Sequence, residues 1–167
     1  MPYIFSVATK AQAENYATSA TPNTEIDYLF IRPGATRRVG LLGLRTQGKG
    51  AGLTALSGII NRVKVWTTTA ASAGTSATPA PSDNTGPAAA HTAGLGTGGG
   101  VAAVTSGTGG PTLVNAVGCG ASGPGGWVAP NPDAVVALDG GANKSIDVFS
   151  ASGTASMNFE TVCDTQE

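Results

Sequence analysis

RRVGLLGLRTQGKGAGLTALSGIINRVKVW, residues Arg37 to Trp66, is the most apolar part of the chain and carries most of its positive charge. At Arg62-Val63-Lys64-Val65-Trp66 the period is two: Val63 and Val65 face one way, and Arg62, Lys64 and Trp66 the other. A helix needs its apolar residues three and four apart, and Gly43, Gly48, Gly50 and Gly52 would each weaken one by ~1 kcal/mol. The stretch therefore predicts two strands, Val39 to Arg45 and Ile59 to Trp66, at the centre of a small β-sandwich. A Gly-rich crossing over Thr46 to Ser57 joins them.

Outward from this pair the strand signals continue. Tyr3–Ala8 (YIFSVA) is β-branched and aromatic, and Ile26–Arg32 (IDYLFIR) is a strand stopped by the turn pair Pro33-Gly34. Lys10–Thr21, Ala-rich and polar, reads as loop, because a helix so short is marginal in water. Thr112–Val117, Ala134–Leu138, Ser145–Ser150 and Ala155–Cys163 complete the set. In the last, Met157, Phe159 and Thr161 alternate with Asn158 and Glu160, as in a half-buried antiparallel strand. About eight strands at short spacing with no helix predict an all-β fold, a β-sandwich of jelly-roll type. The whole chain, residues 1–167, reads as one domain.

Thr67–Pro111 breaks this pattern. Nearly every residue there is Ala, Gly, Ser, Thr or Pro, a composition that buries too little apolar surface to offset its ordering entropy. It predicts an insertion, residues 67–111, running as an extended loop or arm that neighbours would order.

Charged residues make up 11% of the chain, against ~25% in an ordinary soluble domain. So little charge implies that much of the surface is covered by other copies or by a larger assembly. The net charge of −1 gives no support to nucleic-acid binding, and no apolar run is long enough for a signal peptide or a membrane span. The distribution of charge says more. Arg32, Arg37, Arg38, Arg45, Lys49, Arg62 and Lys64 cluster in the first half, whereas Asp133, Asp139, Asp147, Glu160, Asp164 and Glu167 lie late. Either the two groups face each other within the fold, or the basic residues form a patch that docks on an acidic partner. Cys119 and Cys163 can form one bridge or remain free thiols.

Three patterns suggest chemistry and fail on context. Gly43 to Lys49 matches a phosphate-binding loop, but the Ser or Thr that should follow Lys49 is Gly50, and no helix can start there. Gly118-Cys119-Gly120-Ala121-Ser122-Gly123 fits G-x-G-x-x-G, but Pro124-Gly125-Gly126 cannot open the helix that a dinucleotide site requires, so it reads as a corner. The single histidine, His91, lies within the insertion, where nothing is expected to orient it, and it cannot form a metal site with two distant cysteines. No catalytic, cofactor or metal residues are expected. Trp66 and Trp127 read as packing residues or, alternatively, as stacking platforms for sugar.

MPYIFSVATK, RPGATRRVGLLGLRTQGKGAGLTALSGI, and GPGGWVAPNPDAVVALDGG with IDVFSASGTASMNFE together resemble the jelly-roll proteins that decorate or cement the capsids of tailed bacteriophages. The resemblance covers most of the chain outside the insertion and rests on overall pattern and turn phrases. It implies a non-enzymatic virion protein on the capsid exterior, trimeric and bound to the major capsid protein. On that reading Arg37, Arg38, Arg45, Lys49, Arg62, Lys64, Trp66 and Trp127 are the candidate partner contacts. The alternative is a phage tail-fibre or carbohydrate-binding β-sandwich module.

Overall fold

A computed structural model describes residues 3–9, 16–19, 21–49, 58–83, 85–96, 104–109, 112–120, 124–131, 136–152 and 157–167. Among these there are thirteen strands: β1 Ile4–Ala8, β2 Tyr16–Ala17, β3 Ile26–Arg32, β4 Val39–Lys49, β5 Gly58–Trp66, β6 Thr75–Ala77, β7 Ala80–Pro81, β8 Thr92–Leu95, β9 Thr112–Gly120, β10 Gly125–Val128, β11 Val136–Leu138, β12 Ser145–Ser152 and β13 Asn158–Gln166. No described residue is in an α-helix.

The strands form two antiparallel sheets packed as a β-sandwich. Sheet A has the order β10-β4-β13-β1-β7, with β11 also on β4 and β2 on β13; sheet B has the order β6-β8-β3-β12-β5-β9. The all-β expectation holds. The two strands of the Arg37–Trp66 stretch belong to different sheets, each second from an edge, and the more central places go to β13 and β12. β4 also runs past the predicted end at Arg45, because β13 pairs with it as far as Lys49.

Alternation fills the core. Phe159 and Cys163 of β13, Val39, Leu41 and Leu44 of β4, Ile59 and Val63 of β5, Leu29 and Ile31 of β3, and Ile146 and Val148 of β12 form one buried cluster. Removing such side chains from water contributes roughly 25 cal/mol per Å² of apolar area. The spacing from Leu41 to Leu44 is not alternating, because the pairing with β13 skips a residue between Asp164 and Thr165. A bulge of this kind inserts one residue and turns the following side chains over. Leu41, Leu44 and Thr46 thus point inward while Arg45 and Gln47 point out.

A polar cluster joins the two sheets. The Tyr28 hydroxyl of β3 meets Asn61 Oδ1 at 3.1 Å and Thr161 Oγ1 at 3.0 Å. Asn61 Nδ2 donates to Thr46 Oγ1 at 2.6 Å, and Thr46 and Thr161 share a hydrogen bond of 2.9 Å. A buried network of this kind is stabilising because its members satisfy one another.

Within residues 67–111, the described residues include three short strands tied to the two sheets. β8 pairs with β3, β6 pairs with β8, and the two residues of β7 pair with β1 in the other sheet. Backbone bridges also tie Thr69 to Thr108 and Ser72 to Thr105. The main chain obtains its hydrogen bonds from strands already in place, so small side chains suffice.

Candidate functional site

The outer face of sheet A carries two clefts. β4, β13, β1 and β10 present Leu42, Gly43, Arg45, Val162, Asp164, Ile4, Ser6 and Val128 outward. One cleft of about 310 Å³ is lined by Ile4, Ser6, Leu42, Gly43, Arg45, Ser82, Val128 and Asp164. A second, of about 260 Å³, is lined by Arg45, Thr46, Gln47, Pro124, Glu160 and Val162, so both share Arg45. Gly43 leaves the floor low between the walls: a Cβ there would meet Val128 Cγ2 at 3.6 Å and Asp164 Oδ2 at 3.8 Å. Arg45 Nη2 lies 2.6 Å from Asp164 Oδ2, and Ser6 donates to Asp164 Oδ1 at 2.7 Å. Ile4 (44%) and Val128 (63%) remain exposed beside this pair, as does Tyr3 at the start of β1.

The predicted contact residues do not form one patch. Arg45 lies on sheet A, whereas Arg62 and Lys64 lie on the outer face of sheet B, where both bind Glu25 and Lys64 Nζ sits 4.3 Å over the Phe149 ring. Arg37 lies 3.6 Å from Glu167, and Arg38 lies 3.9 Å from Asp139. The Lys49 side chain falls outside the described residues. Basic and acidic groups therefore face each other within the fold, as one of the two readings of the charge distribution expected. Burial would raise the Glu25 carboxyl, but the hydrogen bonds and charges of Lys64 and Arg62 hold it below its ordinary value.

Trp66 is buried and Trp127 is partly buried. Trp66 is 8% exposed, and Gly107 packs so closely that a Cβ there would stand 2.5 Å from the indole Cγ. Although it shares a face with Arg62 and Lys64, that face is roofed over it by the Thr69–Thr108 and Ser72–Thr105 ladder. Trp127 packs against the hydrophobic core.

Two constellations that sequence reasoning missed resemble catalytic groups. His91 Nε2 lies 3.0 Å from Thr165 Oγ1, and His91 Nδ1 lies 2.5 Å from Glu167 Oε1. This is the order of a hydroxyl–imidazole–carboxylate triad. The hydroxyl is fully buried and His91 is 2% exposed, with the Phe5 ring edge-on at 5.2 Å. The amides of Ala90 and His91 also donate to Glu167 Oε1, at 2.7 and 2.6 Å. Burial alone would raise the Glu167 carboxyl, but the His91 hydrogen bonds together with these amides hold it below the usual range. The group is buried and forms a latch that fastens the insertion to β13.

The second constellation pairs Asp27 of β3 with Asp147 of β12, side by side on the outer face of sheet B and 5% and 0% exposed. Their carboxylate oxygens have no hydrogen-bond partner at proper geometry among the described residues. Burial first, and then the charge of Asp147, push Asp27 up to about 9; burial likewise raises Asp147. Two buried carboxylates cannot both stay ionised, so the pair holds a proton. The pair lies beneath the 105–108 segment, with Ser106 and Gly107 beside it.

Cys163 is a free, buried thiol, and burial raises its pKa. No group of three or more His, Cys, Asp or Glu residues suited to a metal occurs among the described residues. No family model, curated protein or solved structure matches the chain.

Proposed function

We propose that this chain is a non-enzymatic virion structural protein that decorates or cements a bacteriophage capsid, binding across subunits of the major capsid protein from the capsid exterior. The observation that supports this reading most is the outer face of sheet A. There two adjoining clefts share Arg45, and exposed Ile4 and Val128 line one of them in a chain with only 11% charged residues. Apolar residues gathered around an ion pair on an open sheet suit a protein partner: the apolar rim supplies area, and the charged centre sets orientation.

The mechanism is physical. A subunit seated across a boundary between capsomers buries area on both sides, ~1,600 Å² for an interface of ordinary size. Many repeated copies add their contributions by multivalency, so opening the shell breaks more contacts. Assembly of the chain with copies of itself, as a trimer, belongs to the same proposal.

Co-sedimentation of the purified protein with phage heads stripped of accessory proteins tests this reading. Binding accompanied by a higher melting temperature of the heads supports it; protein that stays in the supernatant at every ratio overturns it.

A further inference from the structure

A strap made of residues 67–73 and 104–109 crosses the outer face of sheet B. Its sequences, TTTAASA and VTSGTG, contain no charged or titratable side chain. The two halves are joined by backbone pairs, Thr69 with Thr108 and Ser72 with Thr105. The first half is fastened to the sheet: the Ala71 amide donates to Ser145 Oγ at 3.0 Å, and Arg32 donates to the Ala71 carbonyl. The second half rests on the sheet through Ser106 and Gly107, which lie beside the buried Asp27 and Asp147, and Gly107 also packs on the Trp66 ring.

We propose that the Asp27–Asp147 pair is a pH-sensitive switch controlling this strap: while the two carboxyls share a proton, residues 104–109 stay closed over Trp66, and once the proton leaves they lift. The reason is where water can enter. Beneath the pair, the inner face of sheet B is packed with Leu29, Ile31, Ile146 and Val148, each no more than 1% exposed. Above it lies the strap. Two carboxylates side by side in a dry site repel each other and lack the hydration their charges require, so both ionise only if water reaches them. The core side is closed, and the strap is what yields.

Neighbouring charges do not relieve the pair in place. On β5, Lys64 stands opposite Asp147, but its ammonium is held by Glu25, and Arg62 binds the same glutamate. On β3, Arg32 lies over the Phe30 ring and reaches the Ala71 carbonyl. β12 and both halves of the strap offer no cation. Burial, followed by the charge of Asp147, raises Asp27 to about 9, and Lys64 offsets only part of this. A raised folded value means that the closed form is favoured at acid and neutral pH and is lost as pH rises through that value. Opening is local, because β3, β12 and β5 keep their own ladder when the strap leaves.

The switch lies on the sheet opposite Arg45 and does not rest on capsid binding. A protein whose strap opens but which ignores phage heads retains this inference and loses the proposed function, and the converse holds as well.

Acrylamide quenching of tryptophan fluorescence tests the proposal on the full chain. Trp127→Phe leaves Trp66 as the single tryptophan, and quenching is followed from pH 6 to 9.5 with far-UV circular dichroism alongside. The quenching constant should rise by about twofold or more near the alkaline end and fall again on return to neutral pH, with the strand signal unchanged. On the same background Asp27→Asn, which removes one of the two opposed charges, should abolish the rise or move its midpoint. Lys64→Gln takes a positive charge from beside the pair and should move the midpoint to higher pH, a second reading through a residue outside the pair. A constant that stays flat across the range overturns the proposal, and so does a rise accompanied by loss of the strand signal. An unchanged midpoint in folded Asp27→Asn or in folded Lys64→Gln overturns it as well.

Discussion

Arg45 Nη2 and Asp164 Oδ2 stand 2.6 Å apart on the outer face of sheet A, on neighbouring strands and 119 residues apart in the chain. The Arg45 side chain is 58% exposed, so this ion pair adds little to stability: exposed pairs contribute ~0.2–1 kcal/mol. Its place between two clefts suits recognition better. Arg45→Glu sets two carboxylates side by side where a partner is expected to dock. We expect a fall in melting temperature of no more than a few degrees and loss of head binding in the co-sedimentation assay. Arg62→Glu, on the opposite sheet, should leave head binding intact. Equal loss from both variants would remove the assignment of sheet A as the contact face.

The Asp27–Asp147 pair makes stability depend on pH with a definite sign. Folded Asp27 titrates at about 9, far above an unfolded aspartate near ~3.9. A raised folded value means that the pair's contribution is fully present below the unfolded pKa and is lost as pH rises through 9. Between these limits the loss approaches ~1.4 kcal/mol per pH unit for one proton. Urea unfolding at pH 5, 7 and 9 should therefore give a steeper decline for wild type than for Asp27→Asn, whose amide holds the site neutral. Parallel declines would show that the carboxylates do not share a proton.

The strap over Trp66 depends on the absence of one side chain. At Gly107 a Cβ would run into Thr69 O and the indole, and no small shift relieves both contacts. Gly107→Ala should cost on the order of 2 kcal/mol or more, as overpacking does, and raise the exposure of Trp66. Gly118→Ala, at the open position, should change stability by less than ~0.5 kcal/mol. Denaturation with tryptophan fluorescence as the probe measures both effects.

His91 should prove structural and expensive to remove. Its ring bonds Glu167 and Thr165 in a buried site, so His91→Ala leaves a buried carboxylate and hydroxyl short of a partner, a loss of ~2–4 kcal/mol. Acid should act through the same group. Glu167 has a depressed folded pKa, so its contribution is present above the unfolded glutamate range and disappears as pH falls through the folded value. Glu167→Gln should therefore lessen the acid sensitivity of the melting temperature. Identical acid profiles for wild type and Glu167→Gln would contradict the latch.

What the chain reveals before folding depends on local pattern. Ile26–Arg32 and Phe159–Cys163 carry β-branched and aromatic residues with turn signals or clear alternation, and both are strands as expected. The Leu41–Leu44 spacing hides its alternation because a bulge intervenes, a feature set by pairing with β13. β8, by contrast, has little intrinsic signal: TAGL becomes a strand because β3 offers it an edge. The long-range pairs, Asp27 with Asp147 and His91 with Glu167, leave no trace in spacing. Even distribution of charge misleads, since alternation places Arg62 and Lys64 on one sheet while the chain carries Arg45 to the other.

Hydroxyl-radical footprinting of the protein, free and bound to stripped phage heads, tests the central claim most directly. Binding through the outer face of sheet A predicts that Ile4, Leu42, Val128 and Val162 lose reactivity on the heads while Ile60 and Leu113 on sheet B keep at least part of theirs. Undiminished labelling of Ile4 and Val128 on head-bound protein would contradict it.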